Sequence, residues 1–125
     1  MSVLEIGQTM ASMVSQGRES EEAFVSEYYS PDIVSIEGDG TDEMPARMEG
    51  LDAIRGKHEW WCGNHEIHEM NVAGPYVGHR EEQFALHFSM EVTPTGGERM
   101  QMAEVALFTV RDGKVVQEEF LYLMG

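Results

Sequence analysis

The sequence has few cysteines, few basic residues and no long apolar run, and each shortage excludes a class of protein. Its 125 residues include one cysteine, Cys62, so no disulfide can form within the chain and a reducing cytoplasm fits best. No run approaches the roughly 18 apolar residues that span a bilayer, and the first twenty residues lack the basic and apolar segments of a secretory signal. We therefore expect a cytoplasmic protein that neither crosses nor binds a membrane.

Basic residues are outnumbered by acidic ones, which argues against nucleic acid as a partner. Eight Lys and Arg against 23 Asp and Glu give a formal net charge of −15, so phosphate backbones and anionic lipids would be repelled. The chain length and a hydrophobic content of 42% suit one domain with one core, spanning residues 1–125.

The N-terminal half of the sequence has helical periodicity. Apolar residues recur at three- and four-residue steps in residues 3–13, 20–28 and 50–62, which predicts three helices, the second capped by Ser20. Residues 32–37 are a β-branched run that predicts a strand, and residues 38–50 have loop composition.

From His65 onward the hydrophobic period changes to two, which predicts four strands joined by turns. They cover residues 65–73, 83–92, 99–111 and 114–124, and the last two form a hairpin. In residues 83–92 the side expected to face the core is Phe84, Leu86, Phe88, Met90 and Val92. The predicted fold is α+β: three N-terminal helices packed in a strongly curved, mainly antiparallel sheet that leaves a conical cavity.

Three segments resemble the nuclear-transport-factor-like superfamily, and within it the SnoaL-like small bacterial proteins. They are the strand after YYSPD, the helix in EGLDAIRGKHEWW and the terminal hairpin FTVRDGKVVQEEFLY. The resemblance covers residues 10–122 and implies a cystatin-like cone and a single SnoaL-like domain. The superfamily contains ketosteroid isomerases, polyketide cyclases, dehydratases, epoxide hydrolases and proteins that only bind or dimerise, so function has to come from the pocket residues.

The resemblance also implies which residues of the last two strands face the cavity. On the final strand they are Val116, Glu118, Phe120 and Tyr122. On the preceding strand they are Met100, Met102, Glu104, Ala106, Phe108 and Val110.

Several family positions carry different residues in this chain. Phe120 stands where SnoaL-type cyclases have an acid/base aspartate. Ala106 and Met10 stand where steroid isomerases have their oxyanion donors, while Glu37 matches their general base. A base without an electrophilic partner is a poor isomerase.

Three glutamates are the candidate catalytic residues: Glu37, Glu104 and Glu118. Carboxylates in an apolar hollow repel one another and are desolvated, so at least one should hold a proton near neutral pH. Glu104 and Glu118 lie on neighbouring strands, where such pairs can share a proton or a water. The alternative is that the glutamates are solvated at the rim or neutralised by Arg47, His58 or His68.

The candidate ligand-binding residues are aromatic or apolar, with one histidine: His58, Trp61, Met102, Phe108, Phe120 and Tyr122. Trp61 shares a helical face with Ile54 and His58, so we expect its indole, rather than that of Trp60, to point into the hollow. The alternative is an ordinary core tryptophan that seals the cone.

The segment HEIHE, residues 65–69, does not have metal-site spacing. His65 and His68 point to opposite faces of a strand, and the helix motif H-E-x-x-H needs one more residue between its histidines. No other pattern indicates a metal or a cofactor, and we expect none.

Two functions remain open. One is a small-molecule-binding protein with a conical, mostly apolar pocket, whose carboxylates act by general acid/base catalysis on a small hydrophobic compound bearing a carbonyl or hydroxyl group. The other is a ligand-binding or dimerisation module without turnover. Ala103, Val105 and Leu107 make the outer sheet face apolar, which suggests a homodimer through that face.

Overall fold

The computed structural model of the chain describes residues 1–38 and 45–122. These residues form three helices and six strands: α1 Val3–Ser15, α2 Arg18–Tyr28, β1 Tyr29–Ile36, β2 Arg47–Glu49, α3 Leu51–Asn64, β3 His65–Tyr76, β4 Gln83–Pro94, β5 Met100–Arg111 and β6 Lys114–Tyr122. The predicted α+β architecture is confirmed. Residues 39–44 of the predicted loop and residues 123–124 of the predicted last strand lie outside the described residues.

Helix α1 begins with a reciprocal cap. The Ser2 hydroxyl accepts a hydrogen bond from the Glu5 backbone N–H, and the Glu5 carboxylate accepts one from the Ser2 N–H, both at 3.1 Å. Its buried side chains, Ile6, Met10 and Val14, follow the predicted helical spacing.

Helix α2 begins earlier than the sequence predicts. Its N-cap is Gly17, at φ 116°, a conformation that glycine adopts without strain. The prediction that Ser20 caps this helix was wrong, because Ser20 lies within its first turn. The helix leads directly into β1, since Tyr28 ends one element and Tyr29 begins the other.

Helix α3 carries a charged residue on its inner face. It starts after Gly50, and its buried residues are Ile54 and Lys57. The two lie three positions apart, so a 3.6-residue period places both toward the sheet. A lysine in an apolar row is not part of the hydrophobic pattern that predicted the helix.

The sheet is mixed, with strand order β2-β1-β6-β5-β4-β3. Strands β1 and β6 run parallel, and every other neighbouring pair is antiparallel. Strand β2 pairs with the end of β1 and falls inside residues 38–50, which were predicted as loop. Three residues are too short for the period-two alternation that identifies a strand.

Strands β4 and β5 alternate as predicted. The inner face of β4 buries Phe84, Leu86, Phe88, Met90 and Val92. The inner face of β5 buries Ala106, Phe108 and Val110.

Strand β6 departs from the predicted alternation at a bulge. Val115 pairs with Val110 and Gln117 with Thr109, so Val116 is an extra residue on this strand. The prediction that Val116 faces the cavity was therefore wrong, and Val115 is buried in its place. From Glu118 onward the predicted facing holds.

The helices pack in the hollow of the curved sheet. Fully buried side chains from every layer meet there: Ile6 of α1, Phe24 of α2, Ile33 of β1, Ile54 of α3 and Phe84 of β4. Phe108 of β5 stacks on Phe84 with ring centroids 4.9 Å apart. Within the described residues, no helix combines the length and apolarity needed to cross a bilayer.

Two helical glycines test how closely α1 packs on the sheet. A Cβ atom at Gly7 would lie 2.9 Å from Cβ of Pro75 and 3.0 Å from the Phe84 ring, whereas one at Gly56 would meet no atom within 4 Å. We expect Gly56→Ala to raise the free energy of unfolding by about 0.5–1 kcal/mol through helix propensity. Gly7→Ala should lower it by about 1–2 kcal/mol, because overpacking outweighs propensity. Urea denaturation of both variants makes the comparison, and equal effects would contradict the packing of α1 against β3 and β4.

Candidate functional site

A cavity of about 870 Å³ lies between the helices and the inner face of the sheet. Most of its lining is apolar, including Met10, Phe24, Phe88 and Met90, and Trp60 is exposed at its opening. The charged side chains of the lining include the three predicted glutamates: Glu37 directly follows β1, Glu104 lies on β5 and Glu118 lies on β6.

Lys57 lies at the centre of these charges. Its side chain reaches from α3 to the sheet and is 9% exposed. The ammonium Nζ donates to Oγ of Ser35 at 2.7 Å, to Oε1 of Glu37 at 2.8 Å and to Oε1 of Glu118 at 3.3 Å. It also lies 4.3 Å from the centroid of the Phe120 ring, an attractive cation–π geometry.

Lys57 was not among the residues predicted from the sequence. The available signal was its spacing, since a lysine three residues after Ile54 and four before Trp61 is on the inward face of α3. A lysine in such a position is rarely buried unless an acidic side chain pairs with it.

Glu118 is a buried carboxylate with two donors. It is 1% exposed, and besides Lys57 it accepts a hydrogen bond from the Tyr29 hydroxyl at 2.5 Å. Burial of Tyr29, followed by the charge of Glu118 and this hydrogen bond, holds the pKa of the tyrosine well above its ordinary value. Tyr29 therefore remains a donor to Glu118.

Glu37 also has two donors. Its Oε1 accepts from Lys57 and its Oε2 from the hydroxyl of Tyr122. Burial, followed by the hydrogen bond and charge of Glu37, raises the pKa of Tyr122, so this hydroxyl keeps its proton at neutral pH.

Glu104 has a different environment from the other two glutamates. It lies on β5 directly opposite Tyr122 of β6. Desolvation, and next the charges of Glu37 and Glu118, raise the pKa of Glu104 to about 7, against smaller opposing effects of Lys57 and a hydrogen bond with Tyr122. In the part of the chain that the structure describes, no Lys, Arg or His forms an ion pair with it.

The register separates Glu104 from Glu118. Glu118 lies opposite Phe108 of β5, and Phe108 is four residues from Glu104. At the usual strand rise, the Cα atoms of Glu104 and Phe108 are about 13 Å apart. The geometry therefore does not support a proton shared directly between these two carboxyls. They are connected instead through Tyr122, Glu37 and Lys57.

The cations named as alternative partners for the glutamates bind elsewhere. Arg47 pairs with Glu49 at 3.0 Å, and His58 pairs with Glu21 at 3.3 Å. His68 shares a hydrogen bond of 2.7 Å with Thr93. Those three assignments were wrong, because Lys57 takes the position between the carboxylates.

The predicted ligand-binding residues line the cavity, with one exception. His58, Trp61, Phe108, Phe120 and Tyr122 are part of the lining. Met102 is not, and packs half-buried against the core.

Both tryptophans of α3 reach the cavity. Trp61 is half-buried and stacks on the His65 ring with centroids 3.6 Å apart, while Trp60 is 48% exposed at the opening. The expectation that only one indole faces inward was therefore wrong. Across residues 1–38 and 45–122, no group of three or more His, Cys, Asp or Glu side chains is arranged to hold a metal ion.

A second charged group lies between α2 and α3 beside the opening. Glu21 contacts the His58 imidazole, and Arg18 also lines the cavity there. Burial raises the pKa of Glu21, and the neighbouring His58 opposes the shift.

The curved sheet around three helices is the architecture of cystatin-like and nuclear-transport-factor-2-like proteins. The family model of the SnoaL-like domain matches residues 1–122 of the chain. The protein therefore belongs to the SnoaL-like domain family. No curated protein matches the sequence significantly.

Solved structures extend this similarity. A protein from Mesorhizobium loti, described as a candidate SnoaL-like polyketide cyclase with carbohydrate phosphatase in brackets, is 39% identical with a TM-score of 0.86. That match covers 98% of this chain and 100% of the other. A nuclear-transport-factor-2-like protein of unknown function from Burkholderia pseudomallei is 20% identical, with a TM-score of 0.73 and coverage of 98% and 92%. A candidate isomerase from Bacillus subtilis is 16% identical, with a TM-score of 0.75 and coverage of 98% and 90%. The last two are similar in fold alone.

The position of Glu104 predicts a pH-dependent stability. Because the folded state raises the pKa of this carboxyl from 4.5 to about 7, it binds the proton more tightly than the unfolded chain does. The resulting stabilisation is fully present below the unfolded pKa and is lost as the pH rises through about 7.

We expect Glu104→Gln to remove that loss. Between pH 5 and pH 8 the wild-type protein should lose on the order of 2 kcal/mol of unfolding free energy that the variant retains. Urea denaturation across this pH range measures the difference, with Glu119→Gln on the outer face as the control. Parallel pH profiles for wild type and Glu104→Gln would contradict the raised pKa.

Proposed function

We propose that the protein binds a small, largely apolar molecule bearing a carbonyl or hydroxyl group and moves a proton on it by general acid–base catalysis. Glu104 is the group that exchanges this proton. Glu37 and Glu118 complete the catalytic set as fixed carboxylates. His58, Trp61, Phe108, Phe120 and Tyr122 contact the ligand.

The dimensions and lining of the cavity support ligand binding. Its volume of about 870 Å³ falls within the range of about 300–1,000 Å³ that is common for small-molecule pockets. Aromatic and methionine side chains supply most of the surface, and a few polar groups lie on one side of it. Such a lining binds an apolar body and orients one polar group.

The observation that carries the proposal is the environment of Glu104. It faces an apolar cavity, it has no ion-pair partner among the described residues, and Tyr122 lies beside it. A carboxyl with a pKa of about 7 is present in both protonation states at neutral pH. Such a group serves as either a general acid or a general base.

The charges of the lining favour proton transfer over phosphate chemistry. Four glutamates line the cavity, against one arginine and one lysine. The lysine is already bound to two of the glutamates, so little positive charge remains for a phosphate group. The relative from Mesorhizobium loti is described both as a polyketide cyclase and as a carbohydrate phosphatase. The charges of this cavity agree better with the first description.

Deuterium exchange into 2-tetralone tests the proposal without knowledge of the natural substrate. In D₂O near neutral pD, the carboxylate of Glu104 would remove a proton next to the ketone to give the enolate. The Glu104 acid would exchange that proton for a deuteron of the solvent and then deliver the deuteron to the enolate carbon. NMR follows the loss of the α-proton signals. We expect Glu104→Gln to reduce the protein-catalysed rate by about 100-fold or more.

The matched control is Glu119→Gln, which changes an outward-facing glutamate next to Glu118 and should leave the exchange rate unchanged. Glu118→Gln should reduce the rate less than Glu104→Gln does, because Glu118 is held by Tyr29 and Lys57. An exchange rate that does not respond to Glu104→Gln would exclude the assigned role.

A binding module without turnover is the second candidate. Two observations favour it: Glu37 and Glu118 are both engaged in hydrogen bonds, and Phe120 occupies the position of the cyclase aspartate. Titration with 2-naphthol, followed by the fluorescence of Trp60 and Trp61, separates the two functions. Saturable quenching without any 2-tetralone exchange would favour the binding module.

We also propose that the protein forms a homodimer through the outer face of its sheet. Val105 and Leu121 are directly opposite each other on β5 and β6 and are 36% and 49% exposed. Ala103 and Leu107 extend this apolar surface along β5. An exposed apolar sheet face of this kind is typical of association surfaces.

Light scattering coupled to gel filtration tests the dimer. We expect a mass twice that of the 14.1 kDa chain, and conversion to monomer by Val105→Asp, which places a charge in the centre of the interface. Leu4→Asp changes an exposed leucine on α1 and should leave the dimer intact. A monomeric wild-type protein at micromolar concentration would exclude the interface.

A further inference from the structure

Lys57 joins two of the charged groups of the cavity to each other. From helix α3 it contacts Glu37, which follows β1, and Glu118 of β6, and it lies under the ring of Phe120. We propose that Lys57 is a positioning residue that holds Glu37 and Glu118 as carboxylates and thereby confines the exchangeable proton of the site to Glu104. This inference rests on the proposed function of that site.

The hydrogen bonds of the ammonium group support this role. A protonated lysine has three N–H donors and no acceptor, and Lys57 has three acceptors within 3.3 Å: Ser35, Glu37 and Glu118. A neutral amine would have only two donors for these three oxygens. The contacts therefore fit a charged ammonium and leave no lone pair for attack on a substrate carbonyl.

The donors around Glu37 and Glu118 favour the ionised form of both. Glu118 accepts hydrogen bonds from Tyr29 and Lys57. Glu37 accepts hydrogen bonds from Tyr122 and Lys57. Hydrogen bonds donated to a carboxylate stabilise its charged form. A proton added to either carboxyl would compete with one of these donors.

Glu104 is left with the proton because burial desolvates it and repulsion from two carboxylates adds to that effect. The charged and titratable groups around it are Glu37, which directly follows β1, Lys57 of α3, and Glu118 and Tyr122 of β6. Lys57 is already paired with Glu37 and Glu118. Its attraction for Glu104 is therefore smaller than the combined repulsion that these two carboxylates exert on Glu104. Arg18, Glu21 and His58 also line the cavity, and Glu21 of α2 repels Glu118 rather than Glu104.

Phe120 adds an aromatic contact to this arrangement. Its ring centroid lies 4.3 Å from Nζ of Lys57, whose side chain is 9% exposed. An ion pair that excludes water is screened less than an exposed one, which strengthens the effect of Lys57 on its two partners.

Carboxyl-carbon NMR of the free protein tests the inference. Protein labelled with ¹³C at the glutamate side chains is titrated between about pH 4 and 9, and the three signals are assigned with Glu37→Gln, Glu104→Gln and Glu118→Gln. In the wild-type protein we expect the Glu104 signal to report uptake of a proton near neutral pH. In Lys57→Met, where Glu37 and Glu118 lose their shared ammonium donor, the signal of Glu37 or Glu118 should also report proton uptake in that range.

The matched control is Lys114→Met, which removes an exposed lysine and should leave all three titrations unchanged. Lys57→Arg keeps the positive charge and should restore the wild-type order of titration. A folded Lys57→Met protein in which Glu37 and Glu118 are both still ionised at pH 7 would overturn the inference. If Lys57→Met does not fold, the wild-type titration decides: protonation of Glu37 or Glu118 before Glu104 as the pH falls would overturn it as well.

This experiment needs no substrate, so its outcome is separate from that of the proposed function. Absence of 2-tetralone exchange together with the expected titrations would reject catalysis and leave the role of Lys57 in place. Exchange that depends on Glu104, together with unchanged titrations in Lys57→Met, would reject the role of Lys57 alone.

Discussion

The contact between the Lys57 ammonium group and two glutamates is the interaction on which the cavity depends. Glu118 is almost completely buried, and a buried carboxylate without a counter-charge is destabilising. Lys57 supplies that charge from α3, Tyr29 adds a hydrogen bond from the start of β1, and Glu37 shares the lysine from the end of β1. The same contacts fix a helix against the middle of the sheet, so the electrostatics of the site and the docking of α3 are one feature.

This arrangement explains how Glu37, Glu104 and Glu118 can have a defined protonation pattern beside an apolar wall. Two carboxyls each accept hydrogen bonds from the lysine and from a tyrosine that retains its proton, while Glu104 faces the cavity beside Tyr122. A site divides acid and base roles by placing groups of the same type in different environments. The apolar wall contributes by desolvating Glu104, which is the largest cause of its raised pKa.

Much of the fold and part of the site follow from the sequence, because both depend on short-range periodicity. Alternation on β4 placed Phe84 on the inner face, and the helical spacing of α1 and α3 was equally clear. The inward facing of Glu104 and Phe108 on β5 followed from the family resemblance. The bulge at Val116 and the cap at Gly17 could not be predicted, since both arise from backbone geometry that many residue types allow. Lys57 was missed because a lysine looks like a surface residue until its partners, which are 20 and 61 positions away, are known. The pairing of Glu104 with Tyr122 rather than Glu118 depends on strand register, which single-strand alternation does not determine.

NMR of the lysine side chains observes the contacts of Lys57 themselves, because the chain has only two lysines, Lys57 and Lys114. With ¹⁵N-labelled lysine at neutral pH, we expect an ammonium signal for Lys57 whose protons exchange slowly with water, with couplings across hydrogen bonds to the carboxylate carbons of Glu37 and Glu118. A Lys57 ammonium group that exchanges as fast as that of the exposed Lys114, without such couplings, would show that Lys57 does not hold the two carboxylates.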